Sequence, residues 1–176
     1  MNEKIYTLNE NGSLNGLEFR NIVHEKAILH STVQCWIMNQ DGDILIQRRA
    51  ETKGNSAGKW DVSFGGHCSE TSENDVILAN IIKEGKEELG INISSHDLIK
   101  LGEARYTSQQ NKNKELVSVF LLKLDKSQNF KFTDGEVSEV KWIKIEDLFD
   151  NILNNSQEYA NRLPALYLLK FYMSHN

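Results

Sequence analysis

The feature that most constrains this chain is one amphipathic helical segment set between stretches of strand-like sequence. Over residues 75–89, Leu78, Ile81, Ile82, Gly85 and Leu89 fall on one stripe at 3.6-residue spacing, and Gly90 supplies a stop. Gly85 on that stripe costs helix propensity, so close packing against a strand is expected to compensate. Before the helix, Lys4–Leu8 and Leu14–Phe19 read as a hairpin about Asn11-Gly12, occupying about residues 1–20. Residues 30–39 and 43–49 read as a second hairpin turned at Asp41-Gly42. A turn-rich loop (51–59) leads to a short strand over 60–64 that runs into Gly65-Gly66.

After the helix, strands are expected near 97–107, 115–124 and 137–143, then helices at 145–153 and 161–173. Pro164 suits the first turn of that last helix. Leu166, Leu169 and Met173 give the helix, which ends near 174, an apolar stripe suited to packing over a sheet. The order of strands, helix, strands and helices predicts a single α+β domain over residues 1–176.

Composition narrows the function classes. The chain has 176 residues, with 25 acidic and 20 basic side chains and a net charge of −5. That balance disfavours a nucleic-acid polymer as partner. No apolar run approaches the ~20 residues a membrane-spanning helix needs. The opening MNEKIYTLNENGSLNG lacks the apolar stretch of a signal peptide. Cys35 and Cys68 show no disulfide framework or metal-ligand spacing. A cytoplasmic protein is the expectation.

The acids matter more by position than by number. Glu84, Glu87 and Glu88 lie at i, i+3 and i+4 of the helix, so their carboxylates share roughly a 100° arc. The arc is expected to face away from the apolar stripe. Like charges at this spacing destabilise a helix; Lys83 and Lys86 offset part of that, and a hard divalent cation would offset more.

In this setting, the segment resembles the Nudix box, G-x5-E-x7-R-E-U-x-E-E-x-G-U, where U is a bulky apolar residue. Gly66 stands at the first glycine, Lys83 at the arginine, and Glu84, Glu87, Glu88, Gly90 and Ile91 match. VHEKAILH (23–30), DGDILIQRRAETK (41–53), GKWDVSFGGH (58–67) and EVSEVKWIKIEDL (136–148) resemble the branch that shares its fold with isopentenyl diphosphate isomerases. The resemblance covers roughly residues 4–150 and implies a Nudix fold, a mixed β-sheet sandwiched between helices in an α/β/α arrangement. There are departures. Lys83 cannot form the bidentate fork of an arginine. Gly85 replaces a bulky apolar residue, and CSETSEND makes the loop after Gly66 three residues longer than the pattern. Asp75, Glu73 or Glu70 stands for the pattern's first glutamate.

The resemblance implies Mg²⁺-dependent hydrolysis, with Mn²⁺ as a substitute, of a diphosphate linkage in a nucleoside diphosphate derivative or related organic pyrophosphate. Water would attack phosphorus. Glu84, Glu87 and Glu88 would hold metal, with the Gly66 carbonyl and His67 as further ligands. One of these glutamates, or Glu115, would act as base. Arg48, Arg49 and Lys53, with Lys83, would bind the diphosphate, because cationic groups suit phosphate oxygens. The expected partner is a small diphosphate, and the chain a monomer or homodimer.

Two other readings are set against this one. His24, His30 and His67 resemble the histidines around the isomerase metal site. However, Gly65 stands where the isomerase has its cysteine, Cys68 lies past His67 on the other strand face, and Asn113 replaces an acid two residues before Glu115. The second reading, supported by Lys83, Gly85 and the longer loop, is a nucleotide-binding module of the same fold with weakened catalysis.

Overall fold

The computed structural model describes residues 3–52, 56–109 and 112–176. In chain order the elements are β1 (Lys4–Leu8), β2 (Leu14–Phe19), α1 (Arg20–Glu25), β3 (His30–Met38), β4 (Ile44–Arg49), β5 (Trp60–Asp61) and β6 (Phe64–His67). They continue as α2 (Val76–Leu89), β7 (Leu98–Ser108), β8 (Asn113–Lys123), β9 (Val137–Ile143), α3 (Ile145–Asn154) and α4 (Leu163–His175). The helix boundaries follow local chemistry. The Asp75 carboxylate accepts from the Ile77 and Leu78 amides at the start of α2, and Gly90 ends it in the left-handed conformation, φ 67°. Pro164 sits in the first turn of α4 as expected.

β3 is the axis of a mixed sheet. It runs parallel to β8 along its whole length, from His30 opposite Glu115 to Met38 opposite Lys123. Its other edge pairs antiparallel with β1 at His30, with β6 over Thr32–Cys35 and with β4 only at Ile37 and Met38. The 60–64 segment is therefore two strands: β5 pairs β4, and β6 pairs β3. Ser63 stands at the junction, where its Oγ donates to the Leu45 carbonyl (2.6 Å) and accepts from the Ile37 amide (2.7 Å). One side chain thereby replaces ladder bonds where β3 and β4 splay.

Strand alternation sends the two faces of β3 to different cores. Val33, Cys35 and Ile37 pack with Ile81 and Leu89 of α2, and Trp36 packs with α3 and α4. The expected packing of Leu166, Leu169 and Met173 over the sheet is observed. The layers are thus helix, sheet, helix. At Gly85 a Cβ would come within 2.4 Å of Ile93 Cδ1 and 3.2 Å of the Phe64 ring. The glycine lets the helix approach β6 closely, as its place on the stripe suggested. Among the described residues no helix is long and apolar enough to cross a membrane.

Candidate active site

The splaying of β4 from β3 opens a cleft of about 1020 Å³ between the ends of β6, α2 and β8. Gln34 of β3 and Gln47 of β4 line it from the diverging strands. Of the predicted residues, Gly66, His67, Lys83, Glu84, Glu87, Glu115 and Arg49 line this cleft, whereas Glu88 and Arg48 do not.

The carboxylate helix enters the cleft edge-on. The three glutamates do not face away from the apolar stripe together, as expected from the sequence. Glu88 is 2% exposed, whereas the Glu87 side chain is 48% exposed. Residues i+3 and i+4 lie on opposite sides of residue i, about 100° apart, so the arc spans the boundary between sheet and solvent. Glu88 Oε2 accepts from Gln47 Nε2 (2.8 Å) and from the Gly65 amide (3.3 Å). Burial, reinforced by the charge of Glu84, pushes its carboxyl up to about 8 despite those donors. Glu84 is pushed up to about 7, by burial above all, with Lys83 opposing and Glu87 adding. Lys83 Nζ lies 3.9 Å from Glu84 and 3.5 Å from Glu87, so the lysine braces both without a fork. A Cβ at Gly66 would come within 2.5 Å of the Glu84 carboxyl carbon. Only glycine lets this carboxylate rest on the strand backbone.

Carboxylate oxygens are what a hard divalent cation accepts, and Glu84, Glu87 and Glu88 share this helix edge. Among the described residues, however, the side chains that already converge as a metal-ligand group are His24, His30 and His67, not these glutamates. The Gln47 Oε1 atom, buried without a hydrogen-bond partner among the described residues, belongs to the side chain that holds Glu88.

A second cluster forms from three elements. His24 from α1, His30 from β3 and His67 from β6 bring ring nitrogens within 4.8 Å of one another. His30 Nδ1 bonds the Ile28 carbonyl at 2.9 Å, which fixes its proton there and leaves Nε2 as a lone pair. That Nε2 is buried and lies 4.0 Å from Glu115 Oε1. Burial lowers the pKa of both His24 and His30, favouring the neutral, ligating form. The structure therefore places His67 with two other imidazoles. α1, which carries His24, has no counterpart among the sequence-predicted elements: six residues are too few for helical periodicity to register. Asn113 Nδ2 donates to Glu115 Oε1 at 2.7 Å.

Cys68 lies on the far side of β6, buried in the α2 core, its Sγ accepting from Ser31 Oγ at 3.3 Å. Burial pushes its thiol up to about 11. It is inert toward the cleft.

The basic residues divide. Arg49 reaches the cleft, its Nη1 3.7 Å from Asp61. Arg48, the preceding residue on an alternating strand, turns outward, donating to the Gly58 carbonyl (2.8 Å) and to Glu139 (3.1 Å). Lys53 lies outside the described residues. Besides Gln47, the cleft residues Arg162 and Asp61 escaped the sequence reading. Arg162, preceding α4, donates from Nε and Nη2 to Oδ1 and Oδ2 of buried Asp61 at 2.6 and 2.8 Å. A pair 101 positions apart leaves no local signal.

A three-layer α+β protein with buried carboxylates on a helix edge, against a glycine-ended strand, is the class these observations define. Comparison with known proteins gives the same class. The NUDIX domain family model matches residues 28–166. A Nudix hydrolase of Clostridium acetobutylicum is 28% identical over 142 residues, which is 78% of this chain and 66% of that protein. An isopentenyl-diphosphate Delta-isomerase of Kocuria rhizophila is 27% identical over 150 residues, 83% of this chain and 80% of the isomerase. A crystal structure from Deinococcus radiodurans superposes with a TM-score of 0.72 at 22% identity, covering 96% of this chain and 98% of that one. The chain belongs to the NUDIX domain family, within the class of Nudix-type hydrolases.

Proposed function

We propose that this protein hydrolyses a diphosphate linkage in a nucleoside diphosphate derivative or related organic pyrophosphate, with Mg²⁺ or Mn²⁺ held at Glu84, Glu87, Glu88 and the Gly66 carbonyl. The observation that carries the reading is the packing of the Glu84 carboxylate directly over Gly66, beside buried Glu88. Bound there, a divalent cation would neutralise charge developing on the phosphoryl oxygens. The chain's own residues do the rest. Gln47 and the Gly65 amide hold Glu88 in place. Lys83 orients Glu84 and Glu87. Arg49 faces the same cleft and offers its guanidinium to phosphate oxygens. That Glu84 and Glu115 both line the cleft supports one of them as the base that takes the proton of the attacking water.

The imidazole cluster gives a second reading, isopentenyl diphosphate isomerisation, its specific support. The cleft opposes that reading by its chemistry. Gly65 offers no thiol, Cys68 is buried behind the strand, and Asn113 brings no charge.

A panel of nucleoside diphosphate derivatives assayed for product release with Mg²⁺ or Mn²⁺ tests the proposal. Turnover is expected, and Glu87→Gln with Glu88→Gln should abolish it. Unchanged turnover in that double variant would sink the metal assignment. Conversion of isopentenyl diphosphate to its allylic isomer without phosphate release would establish the second reading instead.

A further inference from the structure

We propose that Arg162, clamped by Asp61, positions a second phosphoryl group of the substrate, beyond the one held at the glutamates. This assignment rests on the diphosphate reading above and adds to Arg49 a second guanidinium that no motif in the sequence marks.

Asp61 is opposite Gln47 in the β4–β5 register, and Gln47 holds Glu88. Side chains directly opposed across an antiparallel pair stand roughly 5 Å apart. The guanidinium end of the cleft therefore begins one cross-strand step from the carboxylate end. Arg162 is fixed in two directions. Its Nε and Nη2 fork onto the two oxygens of Asp61, and its guanidinium carbon lies 5.7 Å from the centre of the Tyr106 ring. The preceding backbone is tied to β5: the Trp60 amide donates to the Glu158 carbonyl and the Ala160 amide to the Trp60 carbonyl, each at 2.8 Å. The arginine thus reaches the cleft from a rigid base.

The third nitrogen, Nη1, makes no hydrogen bond among the described residues, and Arg162 lines the cleft. Arg49 approaches the same carboxylate from the other side. Two guanidiniums thus face Asp61 at this end, with the Glu115 carboxylate also acting on Arg162, while the other end carries the glutamates of α2. A group with anionic oxygens completes it, since a pre-oriented guanidinium binds phosphate oxygens with little loss of side-chain entropy. An apolar tail would instead dehydrate N–H donors and give them no acceptor.

Calorimetric titration of the full chain with methylenediphosphonate and with methylphosphonate, both in Mg²⁺, reads the second phosphoryl group directly. The wild type is expected to favour the diphosphonate. Arg162→Met should lower diphosphonate affinity at least tenfold more than monophosphonate affinity, and Arg162→Lys should recover part of the difference. Should Arg162→Met not fold, Arg162→Lys alone serves: it keeps a charge for Asp61, and its loss should still fall mainly on the diphosphonate. Equal loss for both ligands, or a wild type with no preference, overturns the assignment. Because the measurement is of binding, absence of turnover on organic diphosphates would remove the hydrolase reading without touching this comparison.

Discussion

Gln47 donates to Glu88 at 2.8 Å beneath the floor of the cleft, joining the strand that splays to the helix that brings the carboxylates. Both side chains are almost fully buried. Gln47→Ala leaves a buried carboxylate short of a donor, which costs about 1–3 kcal/mol. Urea denaturation should show that loss. Stabilisation of the variant by added Mg²⁺ should also be smaller than for the wild type.

The contact of Gly66 with Glu84 is equally specific. In Gly66→Ala, the new methyl must displace a carboxylate that now lies 2.5 Å from the Cβ position. Turnover should fall on the order of 10–100-fold, the usual effect of disturbing a metal ligand's placement. The Glu84 side chain can move toward the cleft, so the melting temperature should change little. A steady-state assay beside a thermal melt checks the pair of outcomes.

Gly65 and Cys68 bear on the isomerase reading. A Cβ at Gly65 would lie 2.4 Å from the Val33 carbonyl oxygen, which belongs to backbone and cannot yield cheaply. Gly65→Cys is expected to lose about 1–3 kcal/mol by overpacking and to gain no isomerase activity. Cys68→Ala should leave diphosphate hydrolysis within twofold. A Cys68→Ala variant that lost all turnover would contradict the placement of that thiol behind the sheet.

Asp61 carries the acid sensitivity of the cleft. Burial alone would raise its pKa, but the charges and hydrogen bonds of Arg162, joined by Arg49, outweigh burial and hold it below the ordinary carboxylate range. A folded-state pKa below the unfolded one gives stability that is full above about pH 4 and fades as pH falls through the folded value. Asp61→Asn should destabilise by about 3–5 kcal/mol at neutral pH, because two guanidiniums lose a buried counter-charge they share. The difference from wild type should shrink below pH 4, as followed by denaturation across a pH series.

Local signals made much of this protein legible. The apolar stripe and Gly90 set α2, and the turn residues set the first hairpins. That Glu84, Glu87 and Glu88 share one helix arc was readable from their spacing, and Gly66 joined them through the resemblance to the Nudix box. The burial of Glu88 was not readable, since a helix's phase against its neighbour decides which edge of a carboxylate arc enters the protein. The division of residues 60–64 into β5 and β6 followed from β3 changing partners along one edge, a matter of register between distant strands.

Sequence by itself determined most of the elements, because hydrogen bonding and periodicity within a few residues encode them, and its motifs carried the resemblance to the family. Tertiary structure alone decided the rest. It gathered His24, His30 and His67, turned Arg48 outward while Arg49 faced in, and set Arg162 on Asp61 across 101 positions. Those pairings exist only once the strands have found their register and the helices their faces, so no local pattern in the chain could have carried them.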